Sequence, residues 1–395
     1  LGRVAPTCQD CHLSSFPGVC VPGAGSEASA GCPPGTRFEA REPGALPLGL
    51  VAAASSEPRP VRPHYLSGIE LPLAAEYDAA LSDENERDPT GIPLGVRARR
   101  DLLLARSTRL EIGAIVRRGG RIELPIVVEN VGAGHRVPAG FSQERELWLH
   151  VVVTDRRGRK VYEVGRVDRG DEDLPDKRFL RVNVDDGAVD ADGRPLGLFG
   201  ADVSDGPDLP RWDPPPDLGG TRFRGSGLVN FQNGFLRCVR CIGRIDAAGR
   251  CQALPGQEFS RAARYADGDY DADTGACSSN LAGRAALFET FFPIGALDAT
   301  RGVAKAPDAI IDTRSLAPKT PVTYVYELTE PASFPLHVRA RLLFRAFPPY
   351  LLRAFADYER RMHERGFRPN GPLVSERSLE RLDIVEVARA EADGA

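Results

Sequence analysis

Five residues near the start of the chain, Cys8-Gln9-Asp10-Cys11-His12, restrict its folding more than any other stretch. Two thiols three positions apart can add to the two vinyl groups on one edge of a porphyrin. The imidazole that follows at once is then set under the iron as its proximal ligand. Covalent attachment lets a short, loop-rich segment keep a haem without a large apolar pocket. Two other readings use the same residues. A thioredoxin-like redox pair opens a helix after a strand, whereas here Pro6 precedes and Ser14-Ser15-Phe16-Pro17-Gly18 follows. Half of a zinc site needs a second ligand pair, and the next Cys-x-x-Cys, at Cys238 and Cys241, stands in the far half of the chain. Haem c is the expected cofactor, held by Cys8, Cys11 and His12.

The sixth iron ligand has to come from elsewhere. The single methionine, Met362, sits in the charged run Tyr358-Glu359-Arg360-Arg361-Met362-His363-Glu364-Arg365, which reads as a solvated helix. Two histidines stand in loops, where a side chain can project toward a cofactor. They are His64, after Arg62-Pro63, and His135, after Gly134. The plainer role for either is a surface hydrogen-bonding group. His150 alternates within a strand, and His337 and His363 lie among arginines, so the plainer role is expected for these three.

Composition narrows the partners. With 51 Lys plus Arg against 55 Asp plus Glu, the net charge is -4, and no basic surplus exists to neutralise phosphates. Nucleic acid is not an expected partner. The longest apolar run, Leu46–Ala54, is broken by Pro47 and Gly49 and falls far short of the roughly 20 residues of a spanning helix. A chain beginning at Leu1 reads as a processed protein or the C-terminal portion of a longer one. Gly 41 and Pro 33 imply many turns and favour β architecture.

Residues 1–108 form the expected haem-binding coil and helix segment, with a helix predicted from about Pro93 to Arg109. In the loop between Cys20 and Cys32 a disulfide is possible chemistry. From Arg109 the period becomes two: Ile122, Leu124, Ile126 and Val128 alternate with polar residues, and Leu147, Leu149, Val151 and Val153 share one face. Pro125 suggests an edge strand or a bulge. Residues 168–225 read as loop, and 226–290 as a cysteine-rich insert. Strands resume at Val322–Leu328 and Leu336–Phe344, followed by a helix from about Pro349 to Arg365 and a polar tail. The expected class is mainly β: an antiparallel β-sandwich over 109–395, with the insert and the haem-binding segment attached.

Within the insert, Cys238-x-x-Cys241 is followed by Ile242 rather than His, so it is no second haem motif. Cys238, Cys241, Cys251 and Cys277 are expected as disulfides in an exported protein, with tetrahedral zinc as the alternative. Asp267, Asp269, Asp271 and Asp273 alternate in a Gly-containing loop, a pattern that suits calcium. A solvated acidic turn is the competing view, and no Glu stands at the twelfth place of an EF-hand.

Taken together, these motifs resemble multihaem c-type cytochromes of the cytochrome c554-like kind. The resemblance is carried by the haem motif, by Arg62-Pro63-His64-Tyr65-Leu66-Ser67-Gly68-Ile69-Glu70-Leu71-Pro72-Leu73, and by Val128-Glu129-Asn130-Val131-Gly132-Ala133-Gly134-His135-Arg136-Val137-Pro138-Ala139-Gly140 leading into Glu146–Asp155. It implies His64 as the distal ligand, with His135 serving this haem or one upstream. It also implies single-electron relay among haems or partner redox proteins, in the periplasm or outside the cell. Unlike the family, this chain has one haem motif. The alternatives are a nitrite- or hydroxylamine-type oxidoreductase with an open haem, or an extracellular binding module with a structural haem.

Overall fold

A computed structural model describes residues 95–170, 172–174, 222–255, 265–281, 286–290, 308–311, 315–352 and 376–394, less a few single positions. It also describes Cys8, His12, 66–69 and the strands of two small hairpins, together with isolated positions between 356 and 366. The expected Cys20–Cys32 disulfide and most of residues 168–225 and 349–365 lie outside the described residues.

In chain order the N-terminal hairpins are β1 (Gly18–Pro22) with β2 (Thr36–Ala40) and β3 (Leu48–Gly49) with β4 (Arg59–Pro60). Helix α1 (Val96–Ala105) follows, then β5 (Thr108–Ile112), β6 (Val116–Arg118), β7 (Arg121–Asn130), β8 (Glu146–Thr154), β9 (Lys160–Val164) and β10 (Arg222–Gly225). The insert contributes β11 (Gly234–Cys241), β12 (Arg244–Ile245), β13 (Cys251–Gln252), β14 (Tyr265–Asp267), β15 (Asp269–Tyr270), β16 (Cys277–Ser278), β17 (Leu287–Thr290) and β18 (Ala309–Ile311). Last come β19 (Val322–Thr329), β20 (Leu336–Arg345) and β21 (Val385–Gly394). The described chain is thus mostly antiparallel strand, as the turn-rich composition predicts.

Two larger sheets dominate. One runs β10-β19-β7-β5 with β6 continuing beside β7, and the other runs β21-β20-β8-β9. Their alternating apolar residues meet in one core: Ile122, Leu124, Ile126 and Val128 of β7, Leu149, Val151 and Val153 of β8, and Tyr324 and Tyr326 of β19 are all buried together. Full burial of one such aliphatic side chain stabilises by about 1.5–3 kcal/mol relative to leaving it in water. Residues far apart in sequence close this core, because β8 pairs with β20 and β7 with β19.

Three local predictions need correction. Helix α1 stops at Ala105 rather than Arg109, since Ser107 gives both its backbone N–H (2.9 Å) and its hydroxyl (2.7 Å) to the Leu104 carbonyl. That ends the turn and releases Thr108 into β5. Strand β7 is no edge: it lies between β19 and β5. Pro125 is tolerated because β5 ends opposite Ile126 and β6 begins opposite Glu123. In that break its carbonyl accepts the Gly113 N–H at 2.8 Å, so the missing N–H of the same residue faces a gap in the ladder. The polar tail is in fact β21, paired with β20 along its length. There Ala388, Ala390 and Ala392 are partly covered while Arg389, Glu391 and Asp393 are exposed. A period of two was present, but alanine's weak strand preference concealed it.

Candidate functional site

Cys8 and His12 both have helical backbone. Cys8 is exposed and belongs to no disulfide. Cys11 and His64 lie outside the described residues. His12 is gripped at two points by Ser67, a member of the segment that resembles the family's ligand loop. The Ser67 N–H donates to the His12 carbonyl at 2.9 Å, and the His12 Nδ1 stands 2.8 Å from the Ser67 carbonyl.

The second component is the loop after β7, which carries His135. The loop is pinned at both ends. Gly132 gives its N–H to the Ser107 carbonyl at 3.2 Å, and Val137 exchanges two backbone hydrogen bonds with Leu316, at 3.0 and 2.7 Å. Glycine is required at 132, since a Cβ there would stand 1.8 Å from the Arg106 carbonyl oxygen. The core of the molecule therefore fixes where this loop runs.

That placement brings His135 to His12. The two imidazole rings lie 19° from parallel, with centroids 6.2 Å apart. His135 Nδ1 lies 2.8 Å from the Arg136 carbonyl, just as His12 Nδ1 lies against the Ser67 carbonyl. A carbonyl only accepts, so each Nδ1 is the donor, and in the neutral imidazole that leaves the lone pair on Nε2. Metal-binding histidines are oriented in this way, by a backbone acceptor on the far nitrogen. An imidazole bonded in this way through Nδ1 has Nε2 as its metal-binding atom, which makes His12 and His135 candidate ligands.

His150 and His337 make contacts within and between strands. Buried His150 lies between Glu163, 3.2 Å from Nε2, and Arg341, 2.6 Å from Nδ1. Burial holds its pKa below the ordinary value, opposed by the Glu163 hydrogen bond. His337 stands 2.8 Å from Asp393 on the exposed face of β20 and β21.

In the insert, disulfides join Cys238 to Cys277 and Cys241 to Cys251. The four thiols are thus paired with one another, as expected of an exported protein. The calcium expectation finds no support: among the described residues no three carboxylate, His or Cys groups gather around one point. Asp271 instead turns its carboxylate onto the backbone N–H groups of Asp273 (2.9 Å) and Thr274 (3.2 Å), which lowers its pKa together with the Thr274 hydroxyl. Asp267 closes β14 and Asp269 opens β15, while Asp271 and Asp273 lie exposed at the turn that follows. No described helix is long and apolar enough to cross a membrane.

Sequence reasoning named His12 and His135 separately and favoured His64 opposite His12. It missed the clamp by Ser67 and the part played by Asn130, the last residue of β7. The only signal for Asn130 was an asparagine where a strand enters a Gly-rich loop.

No protein-family model matches the chain, and no curated protein matches it. A solved structure similar to it is that of a penta-heme cytochrome c552 from Thermochromatium tepidum. The TM-score is 0.30 and the identity 12%, over 80% of this chain and 55% of that one. The chain spans about half the length of that protein, and an overlap so loose says nothing about individual ligands.

Proposed function

We propose that this chain is an electron-transfer cytochrome of the multihaem c type, whose own haem is attached through Cys8 and Cys11 and held between His12 and His135. The observation that carries the reading is the His12–His135 pair: near-parallel rings 6.2 Å apart, each with Nδ1 committed to a backbone carbonyl. A bound haem c supplies a reversible one-electron couple, tuned by its axial ligands and burial. The protein's residues fix the ligand geometry before any electron arrives. Ser67 orients one imidazole and the β7 loop presents the other. With a histidine on each side no position stays open for substrate, which favours a carrier over a reductase. Its partners are other haems or redox proteins. The two disulfides support maturation in an oxidising compartment, periplasmic or extracellular. The shared core of the two large sheets supports a β-sandwich as the scaffold.

The test is spectroscopic. The oxidised holoprotein should be low-spin and inert to carbon monoxide, and its colour should resist acid-acetone extraction. His135→Ala should keep the covalent haem but open the iron to carbon monoxide, whereas His64→Ala should leave the low-spin spectrum intact. The opposite pattern would assign the ligand to His64, and extractable colour would refute covalent attachment.

A further inference from the structure

We infer that Asn130 is a positioning residue for His135, holding the axial imidazole in place through the backbone of its own loop. The inference rests on the reading of His135 as an iron ligand and concerns how that ligand is held.

Asn130 is fully buried at the end of β7. Its Oδ1 accepts the Ala133 N–H at 3.0 Å, and its Nδ2 donates to the His135 carbonyl at 2.7 Å and to the Leu316 carbonyl at 3.2 Å. Its own carbonyl accepts the Lys319 N–H at 2.7 Å. One amide thus ties together the start of the loop, the ligand residue and the neighbouring chain at Leu316. The next carbonyl, that of Arg136, takes the proton of His135 Nδ1. The Arg136 guanidinium in turn reaches the Ser315 carbonyl at 3.1 Å. The carbonyls of residues 135 and 136 are therefore both directed, the first by Asn130 and the second by the imidazole itself.

The chemistry demands an amide at this position. The side chain must accept from one N–H and donate to two carbonyls, and among residues of this size only asparagine does both. Aspartate keeps the acceptor but turns a second oxygen against the carbonyls of His135 and Leu316. Buried carbonyls left without a donor carry a desolvation cost, which the loop relieves by moving. His135 moves with it. His135 is exposed, and among the described contacts this backbone frame and the Arg136 carbonyl hold its ring.

The experiment uses holoprotein with covalent haem and compares Asn130→Asp with His135→Ala and with Asn230→Asp. Asn230 is a comparably buried asparagine whose amide bonds Gln232 instead, so it serves as the structural control. Carbon monoxide binding and the low-spin spectrum are read in each, with folding followed by circular dichroism. Asn130→Asp should raise the carbon monoxide-binding fraction on the order of tenfold, as the loss of one or two net hydrogen bonds predicts. Added imidazole should restore the low-spin spectrum. Asn230→Asp should lower the melting temperature without opening the iron. If His135→Ala opens the iron while folded Asn130→Asp remains low-spin and inert, the positioning role is wrong and the ligand stands. If His135→Ala itself changes nothing, the ligand reading fails first. Should Asn130→Asp not fold, Asn130→Ser, which retains one donor and one acceptor, takes its place under the same two outcomes.

Discussion

The two-sheet core and the cysteine-rich insert differ in what holds them. In the core, Trp148, Leu149, Ile126 and Tyr324 are wholly buried, along with many residues from strands distant in sequence. Among the described residues, the buried apolar cluster of the insert is Val239, Cys241, Cys251, Leu281 and Ala286, two of which are half-cystines. Two disulfides run through this cluster and add to burial by restricting the unfolded chain. The difference teaches that one chain can be stable in two senses. The core is stable because water is excluded, and the insert because its unfolded states are restricted.

The sharpest way to break the core is through a buried ion pair. Arg345 and Glu146, each 1% exposed, are joined by Nε at 2.9 Å and by a second guanidinium nitrogen, and Arg345 also donates to the Glu172 carbonyl at 2.7 Å. Its guanidinium lies 5.6 Å from the centre of the Trp148 ring. Arg345→Ala leaves a buried carboxylate without its cation and should cost about 3–5 kcal/mol in denaturant unfolding. Replacing both partners, as Glu146→Gln with Arg345→Met, should recover much of that loss. If both variants are equally unstable, packing rather than charge holds this corner.

Reduction tests the other side of the comparison. Cys238–Cys277 closes a separation of 39 residues and Cys241–Cys251 one of 10. Each should contribute about 2–4 kcal/mol, the longer loop at the upper end. The loss should appear as local exchange of insert amides, with the core amides unaffected. Global unfolding on mild reduction would show that the insert is part of the core's cooperative unit.

The smallest effect is one of pH. Burial lowers the pKa of His150 below its ordinary 6.5, so the unfolded chain takes up this proton first on acidification. Its contribution is complete above the unfolded pKa and is lost as pH falls through that value toward the folded one. A thermal melt series between pH 7.5 and 5 should show this slope, weaker than either effect above, and His150→Gln should flatten it.

How much of this was legible beforehand varies by element. The core faces of β7 and β8 were readable, because a strand half in water writes its burial as alternation. The four insert cysteines were readable as bonded, though their pairing was not. The proposed ligand pair was only half readable. His12 is announced by the thiols before it, whereas His64 and His135 looked alike as loop histidines.

What the sequence determined by itself is chemistry that is local. The pentapeptide at Cys8, the period of two, and the paired cysteines each depend on neighbours a few positions away. What only the tertiary structure decided is which distant groups meet. His135 reaches His12 because β7 is pinned by β19, because Gly132 admits the Arg106 carbonyl, and because Leu316 closes the loop at Val137. Each contact joins residues whose separation in sequence carries no information about their distance in space. Loop closure over such spans costs entropy that grows only slowly with length. Chain separation therefore did not favour His64 over His135, and the packing of the β7 loop against the core brings His135 to His12.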